Sequence, residues 1–172
     1  LARALQLDDD ATAHAHALAR APRRRRVARS VRPAVQQLLD GFAGPAFVHD
    51  HVMDVLANNA LAAALHPTFA AGANPVRTLF LDPGAPAFFP DWDEAARTTV
   101  AALREGADPD DARLAALVGE LSLKSEPFRR LWARHDVAAK RHGRKRMCHP
   151  LVGELDLEWE AMTLGDRLTV IA

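Results

Sequence analysis

In Glu154-Leu155-Asp156-Leu157-Glu158-Trp159-Glu160-Ala161, acidic and apolar residues alternate without a break. Side chains on a β-strand point to opposite faces in turn. The segment therefore reads as a strand with Leu155, Leu157 and Trp159 on a covered face and the acids in water. Such a strand needs partners on both edges, and the flanking sequence supplies them. A basic strand precedes it, ending in a tight corner at His149-Pro150, and Arg144 and Arg146 are placed to pair across with the acids. Gly165-Asp166 then turns the chain into Arg167-Leu168-Thr169-Val170, a third strand.

A second group of strands lies far upstream. Ala46-Phe47-Val48-His49 and Met53-Asp54-Val55-Leu56-Ala57 read as two short strands joined by a turn at Asp50-His51, a hairpin. Asn58-Asn59 can cap a helix from Ala60 to Leu65. The middle of the chain is helical. Val76 to Leu81 stops before Pro83. Trp92 to Arg104 has Asp91 as a cap and Ala96, Val100 and Leu103 on one face. Asp111 to Leu123 carries Leu114, Leu117, Val118 and Leu121 at core-facing spacing. Ser125 begins a further helix with Phe128, Leu131 and Trp132. Two strands, several helices, then three strands describe an α+β domain built on one antiparallel sheet.

Ahead of the first strand, Arg32-Pro33 opens a helix with Val35, Leu38, Leu39 and Phe42 at helical spacing, stopped by Gly41 and Gly44-Pro45. Residues 1–20 read as helix broken at Asp8-Asp9-Asp10, where an Asp can cap the helix Ala11 to Arg20. Between them, Arg20, Arg23, Arg24, Arg25, Arg26, Arg29 and Arg32 run without an intervening acid, in what reads as a linker. The chain begins with Leu and stops just after a strand, so the expectation is a piece of a longer protein.

Composition excludes several classes. The 22 basic and 22 acidic residues cancel, which leaves no overall bias toward nucleic acid or a membrane surface. The lone Cys148 rules out an internal disulfide and fits a reducing compartment. No stretch approaches the roughly 20 apolar residues of a membrane span, and no signal-peptide pattern opens the chain. There is no Gly-rich phosphate loop, nucleophile-elbow Ser or His-Glu-x-x-His.

Each remaining candidate has two readings. Cys148 is a packed or a reactive thiol. His49-Asp50-His51 is a polar hairpin turn or, since alternate strand residues share a face, a partial metal site. His14 and His16 do not face each other on a helix and read as surface residues. The arginine run is a solvated linker or a grip on DNA phosphates. Phe47, Phe69, Phe80, Phe88, Phe89, Trp92, Phe128, Trp132 and Trp159 suit a core or an apolar ligand pocket. Arg77, Arg134 and His135 are surface charges, ion-pair members or holders of a ligand carboxylate.

Several blocks of the chain resemble the C-terminal ligand-binding domain of MmyB-like transcription regulators, from about Pro45 to Ile171. They are Met53-Asp54-Val55-Leu56-Ala57-Asn58-Asn59-Ala60, Asn74, Arg77, Leu79-Phe80-Leu81-Asp82-Pro83 and Phe89-Pro90-Asp91-Trp92. The most specific are Leu131-Trp132-Ala133-Arg134-His135-Asp136-Val137 and His149-Pro150 through Gly153-Glu154-Leu155. The chain departs from the family where Trp usually stands at Met53 and Asn58, and where Tyr is frequent in the strand that here carries Trp159. It has no Tyr at all.

The resemblance implies an α+β fold with a PAS-like antiparallel sheet, helices between strand 2 and strand 3, and N-terminal helices ahead of it. Residues 1–20 would be a remnant of an upstream XRE-type helix-turn-helix domain, 21–32 a basic linker, and 33–172 the PAS-like domain. The implied function is non-enzymatic, cytoplasmic sensing of a small hydrophobic ligand, a fatty acid by family analogy. No cofactor, metal or membrane is expected. DNA would be contacted through the upstream domain, and the protein would be a homodimer. The expected ligand-binding residues are Arg77 and His135 at the polar end, and Phe80, Trp132 and Trp159 on the apolar wall, with Phe47 and Asn59. The alternatives are a ligand-free dimerisation or partner-binding module, and a metal-dependent enzyme using His49, Asp50 and His51.

Overall fold

The computed structural model describes residues 31–107, 110–134, 141–165 and 168–172. The helices expected in residues 1–20, the arginine run up to Arg29 and His135 lie outside the described residues. Elsewhere the fold is α+β. Helix α1 (Pro33–Asp40) leads into β1 (Phe47–His49) and β2 (Val55–Asn58). There follow α2 (Ala60–Leu65), a single 3-10 turn at Pro67–Phe69, α3 (Pro75–Leu81), α4 (Ala85–Phe88), α5 (Trp92–Glu105), α6 (Ala112–Lys124) and α7 (Glu126–Ala133). The chain returns to the sheet with β3 (His142–His149), β4 (Gly153–Leu164) and β5 (Leu168–Ile171). The strands lie in the order β2-β1-β5-β4-β3, all neighbours antiparallel. This is the PAS-like sheet, with its helices between strands 2 and 3.

Local chemistry explains most boundaries. Asn59 accepts from the Ala62 amide at the start of α2, and Asp111 from the Arg113 and Leu114 amides at the start of α6. Ser125 accepts from Phe128 at α7. Each satisfies donors that the first helical turn leaves without a partner. One strand start and one cap differ from expectation. The second strand starts at Val55 rather than Met53, because Met53 has φ +62 inside a turn closed by its own N–H to the Asp50 carbonyl. Asp91 makes no cap hydrogen bond to α5. Its carboxylate takes both forks of Arg146 instead, at 2.6 and 2.8 Å. Arg146 thus leaves the strand acids, while Arg144 does pair across the ladder with Asp156 at 2.6 Å.

Strand parity divides the core. Even-numbered Val48 and Val170 pack with Ala46 and Ala57 against Val35 and Leu39 of α1. Odd-numbered Phe47, Met147 and Leu157 look the other way, toward the helices, and join Phe69, Phe88, Phe89 and Ala96. A third cluster welds the helices to one another: Val76, Val100, Leu103, Leu117, Leu121 and Phe128. Leu155, Leu157 and Trp159 are half-buried between exposed acids, as the alternation of β4 requires.

Candidate ligand cavity

A cavity of about 910 Å³ lies between the odd-numbered face of the sheet and the helical layer. Its floor follows from register. Phe47 pairs with Ile171, and Ile171 with Ala161, so the three form one row across β1, β5 and β4. His49, Thr169 and Thr163 form the next row. On the outer strands Trp159 lies opposite Gly143, and Leu157 opposite Lys145. A Cβ on Gly143 would sit 3.4 Å from the Trp159 indole nitrogen, so the glycine gives the ring its room. Thr98, Thr99 and Ala102 of α5 form the roof. These side chains make a mostly apolar chamber with a few polar groups, within the size range of small-molecule sites.

One group of polar side chains comes from the β1–β2 turn. Asp50 is 1% exposed. One of its oxygens accepts from the Val52 and Asp54 amides, and the other from Arg113 at 2.8 Å. Arg113 also pairs with Asp54, and Arg77 lies 3.9 Å from Asp54 and 2.8 Å from Glu120, so the turn is tied to α3 and α6. Nδ1 of His49 donates to the Asp50 carbonyl at 2.8 Å, which leaves a lone pair on Nε2 of the neutral ring. Burial lowers the His49 pKa, against a smaller opposing pull from that hydrogen bond and from Asp50. His51 Nε2 bonds the Asp111 carboxylate, while its buried Nδ1 has no hydrogen-bond partner among the described residues. Burial pushes Asp111 up, but hydrogen bonds from His51 and from the Arg113 and Leu114 amides outweigh it and hold the carboxyl low.

Two further cations border the chamber. Arg141 pairs with Glu105 at 3.6 Å. Lys145 is half-buried, with its ammonium 5.6 Å from the centre of the Phe89 ring.

Of the residues expected at a ligand, Phe47 and Trp159 stand on the cavity floor. His135 lies outside the described residues, and the remaining ones are placed away from the cavity lining. Arg77 is engaged with Glu120 and Asp54. Phe80 packs edge-on to Trp92 and Phe128 in the helical core. Trp132 stacks on Phe128 beneath the guanidinium of Arg104. Asn59 is buried, with its side chain bonded to Ala46, Ala62, Leu39 and Gly44. Arg134 is exposed just past α7. His49 bonds the backbone carbonyl of Asp50, the Asp50 carboxylate takes Arg113, and His51 takes Asp111, so the three side chains do not converge on one point. No group of three or more potential ligands that could hold a metal occurs among the described residues. Sequence reasoning passed over Lys145 and Met147. The signal was available, because alternation through Gly143-Arg144-Lys145-Arg146-Met147 puts the lysine on the same side as the methionine.

The family model of the MmyB-like transcription regulator ligand binding domain matches residues 31–171. The chain belongs to this family. Comparison with curated proteins gives no match. The MmyB-like domain is thus the ligand-binding part of a transcription regulator, and its cavity is lined by residues from both ends of the matched segment. No described helix of the MmyB-like domain is long and apolar enough to cross a membrane.

Proposed function

We propose that the domain is a cytoplasmic, non-enzymatic sensor that takes a fatty-acid-like amphiphile into the cavity between sheet and helices. It would report occupancy to an upstream XRE-type helix-turn-helix domain within a homodimer. The observation that carries this reading is the cavity itself: about 910 Å³, with Phe47, Ala161, Trp159 and Ile171 on the floor and a mostly apolar surface. An apolar ligand gains there by leaving water, at roughly 25 cal/mol per Å² of surface buried. Occupancy changes the output only if the ligand binds two conformers of the domain with different affinity. Phe47 and Trp159 are the residues of this site proposed to touch the ligand tail.

The test is native mass spectrometry of protein purified without added lipid, with extraction and identification of any bound molecule. A stoichiometric amphiphile supports the proposal. Empty protein whose melting is unmoved by a panel of fatty acids sinks it. A stable dimer under those conditions would then favour the ligand-free dimerisation module.

A further inference from the structure

Three consecutive cations on β3 are treated differently by the fold. Arg144 and Arg146 flank Lys145, and both have acids: Asp156 for one, Asp91 for the other. These pairs are largely exposed, where a counter-charge matters least. Lys145 faces the other way, into the cavity, opposite Leu157. There water is scarce and a counter-charge matters most. Yet no carboxylate among the described residues lies within ion-pair distance of it, and its one close partner is the face of Phe89. Burial lowers the Lys145 pKa, and no neighbouring charge counters that effect. Of the other charged groups at the cavity wall, Asp50 is matched by Arg113, Glu105 by Arg141 and His51 by Asp111, while Glu158 is exposed to water on the rim.

We propose that Lys145 is the anchor for the anionic head of the ligand, a carboxylate that completes the ion pair the fold leaves open on β3. This rests on the sensor reading above and adds a polarity to it. The head lies at Lys145 on β3, and the tail crosses Leu157 and Trp159 toward Ile171 and Phe47. Three strand spacings separate β3 from β1, about 14 Å, which is room for an extended alkyl chain. His49 stands at the far end with its lone pair on Nε2, so it offers the head no hydrogen-bond donor while neutral.

The experiment is calorimetric titration of the chain with dodecanoate and with dodecanol, which has the same tail and no charge. Wild type is expected to prefer dodecanoate by about 10- to 100-fold, the span of one charge-assisted hydrogen bond. Lys145→Met keeps the apolar length and should abolish that preference while still binding dodecanol. Lys145→Arg should recover most of it. Circular dichroism melting of Lys145→Met should show a fold at least as stable as wild type, since an uncompensated cation has been removed. An unchanged preference in Lys145→Met, or none in wild type, overturns the anchor and leaves the sensor reading standing. Failure of wild type to bind either probe overturns the sensor reading, and the anchor with it.

Discussion

Arg113, in the first turn of α6, reaches across 63 residues of sequence to the buried carboxylate of Asp50 at 2.8 Å. Through that contact and its bond to Asp54, the turn between β1 and β2 is held against the helical layer. Asp50→Ala removes an acceptor shared by two amides and a guanidinium. It should lower the unfolding free energy by about 2–4 kcal/mol in urea denaturation. Arg113→Ala should cost less, about 1–3 kcal/mol, because the guanidinium is partly exposed and water can replace some of it.

Asn59 uses both ends of its amide. The oxygen accepts from Ala46 and Ala62, and the nitrogen donates to Leu39 and Gly44. Asn59→Asp keeps the helix cap but turns the donor into a second acceptor beside two carbonyls. It should therefore fail to rescue Asn59→Ala, each costing about 2–3 kcal/mol by urea denaturation. A simple capping role for Asn59 would instead predict that Asp is tolerated.

The chain has three tryptophans, and the structure separates their roles. Trp92 donates to the Leu79 carbonyl at 2.9 Å and packs on Phe80, and Trp132 lies stacked on Phe128. Only Trp159 borders the cavity. If ligand enters there, the emission change on adding dodecanoate should vanish in Trp159→Phe and persist in Trp92→Phe and Trp132→Phe. Equal changes in all three variants would place the ligand elsewhere.

Acid should destabilise the domain in two stages. His49 and His66 both have pKa values lowered by burial from the ordinary 6.5. Below that pH the unfolded chain takes up protons that the folded form refuses, so stability falls until the folded-state values are reached. Asp111, also depressed, contributes stability above the ordinary carboxylate value of 3.8, and that contribution is lost as pH falls through its lower folded value. His49→Gln should flatten the slope of melting temperature between about pH 7 and pH 5 and leave the later limb in place.

What could be read from the sequence is what neighbouring residues decide among themselves. Asn59 lies beside the helix it starts, and β4 displays its two faces in eight consecutive letters. Asp91 sits one residue before α5, where an acid ordinarily caps. Arg146, 55 positions away, takes it instead. The cavity was hidden for the same reason. Its floor is assembled from β1, β3, β4 and β5, drawn from both ends of the described chain, and only the register shows that Phe47, Ile171 and Ala161 are one row. Arg77 reads as a ligand contact from its apolar helical turn, and Phe80 and Trp132 from the aromatic set carried on such turns. Those turns face other helices, which the periodicity of a single helix does not name.

The sheet at β1 and β5 is a partition one residue thick. On one side Phe47 and Ile171 meet the contents of the cavity, and on the other Val48 and Val170 carry Val35 and Leu39 of α1. Adjacent residues share a peptide plane, and that plane is stiff. A molecule that shifts the front of these strands must also tilt the seat on which α1 rests. On the sensor reading, a ligand that displaces these strands would displace α1 with them, and no relay of side chains would be needed between the two faces.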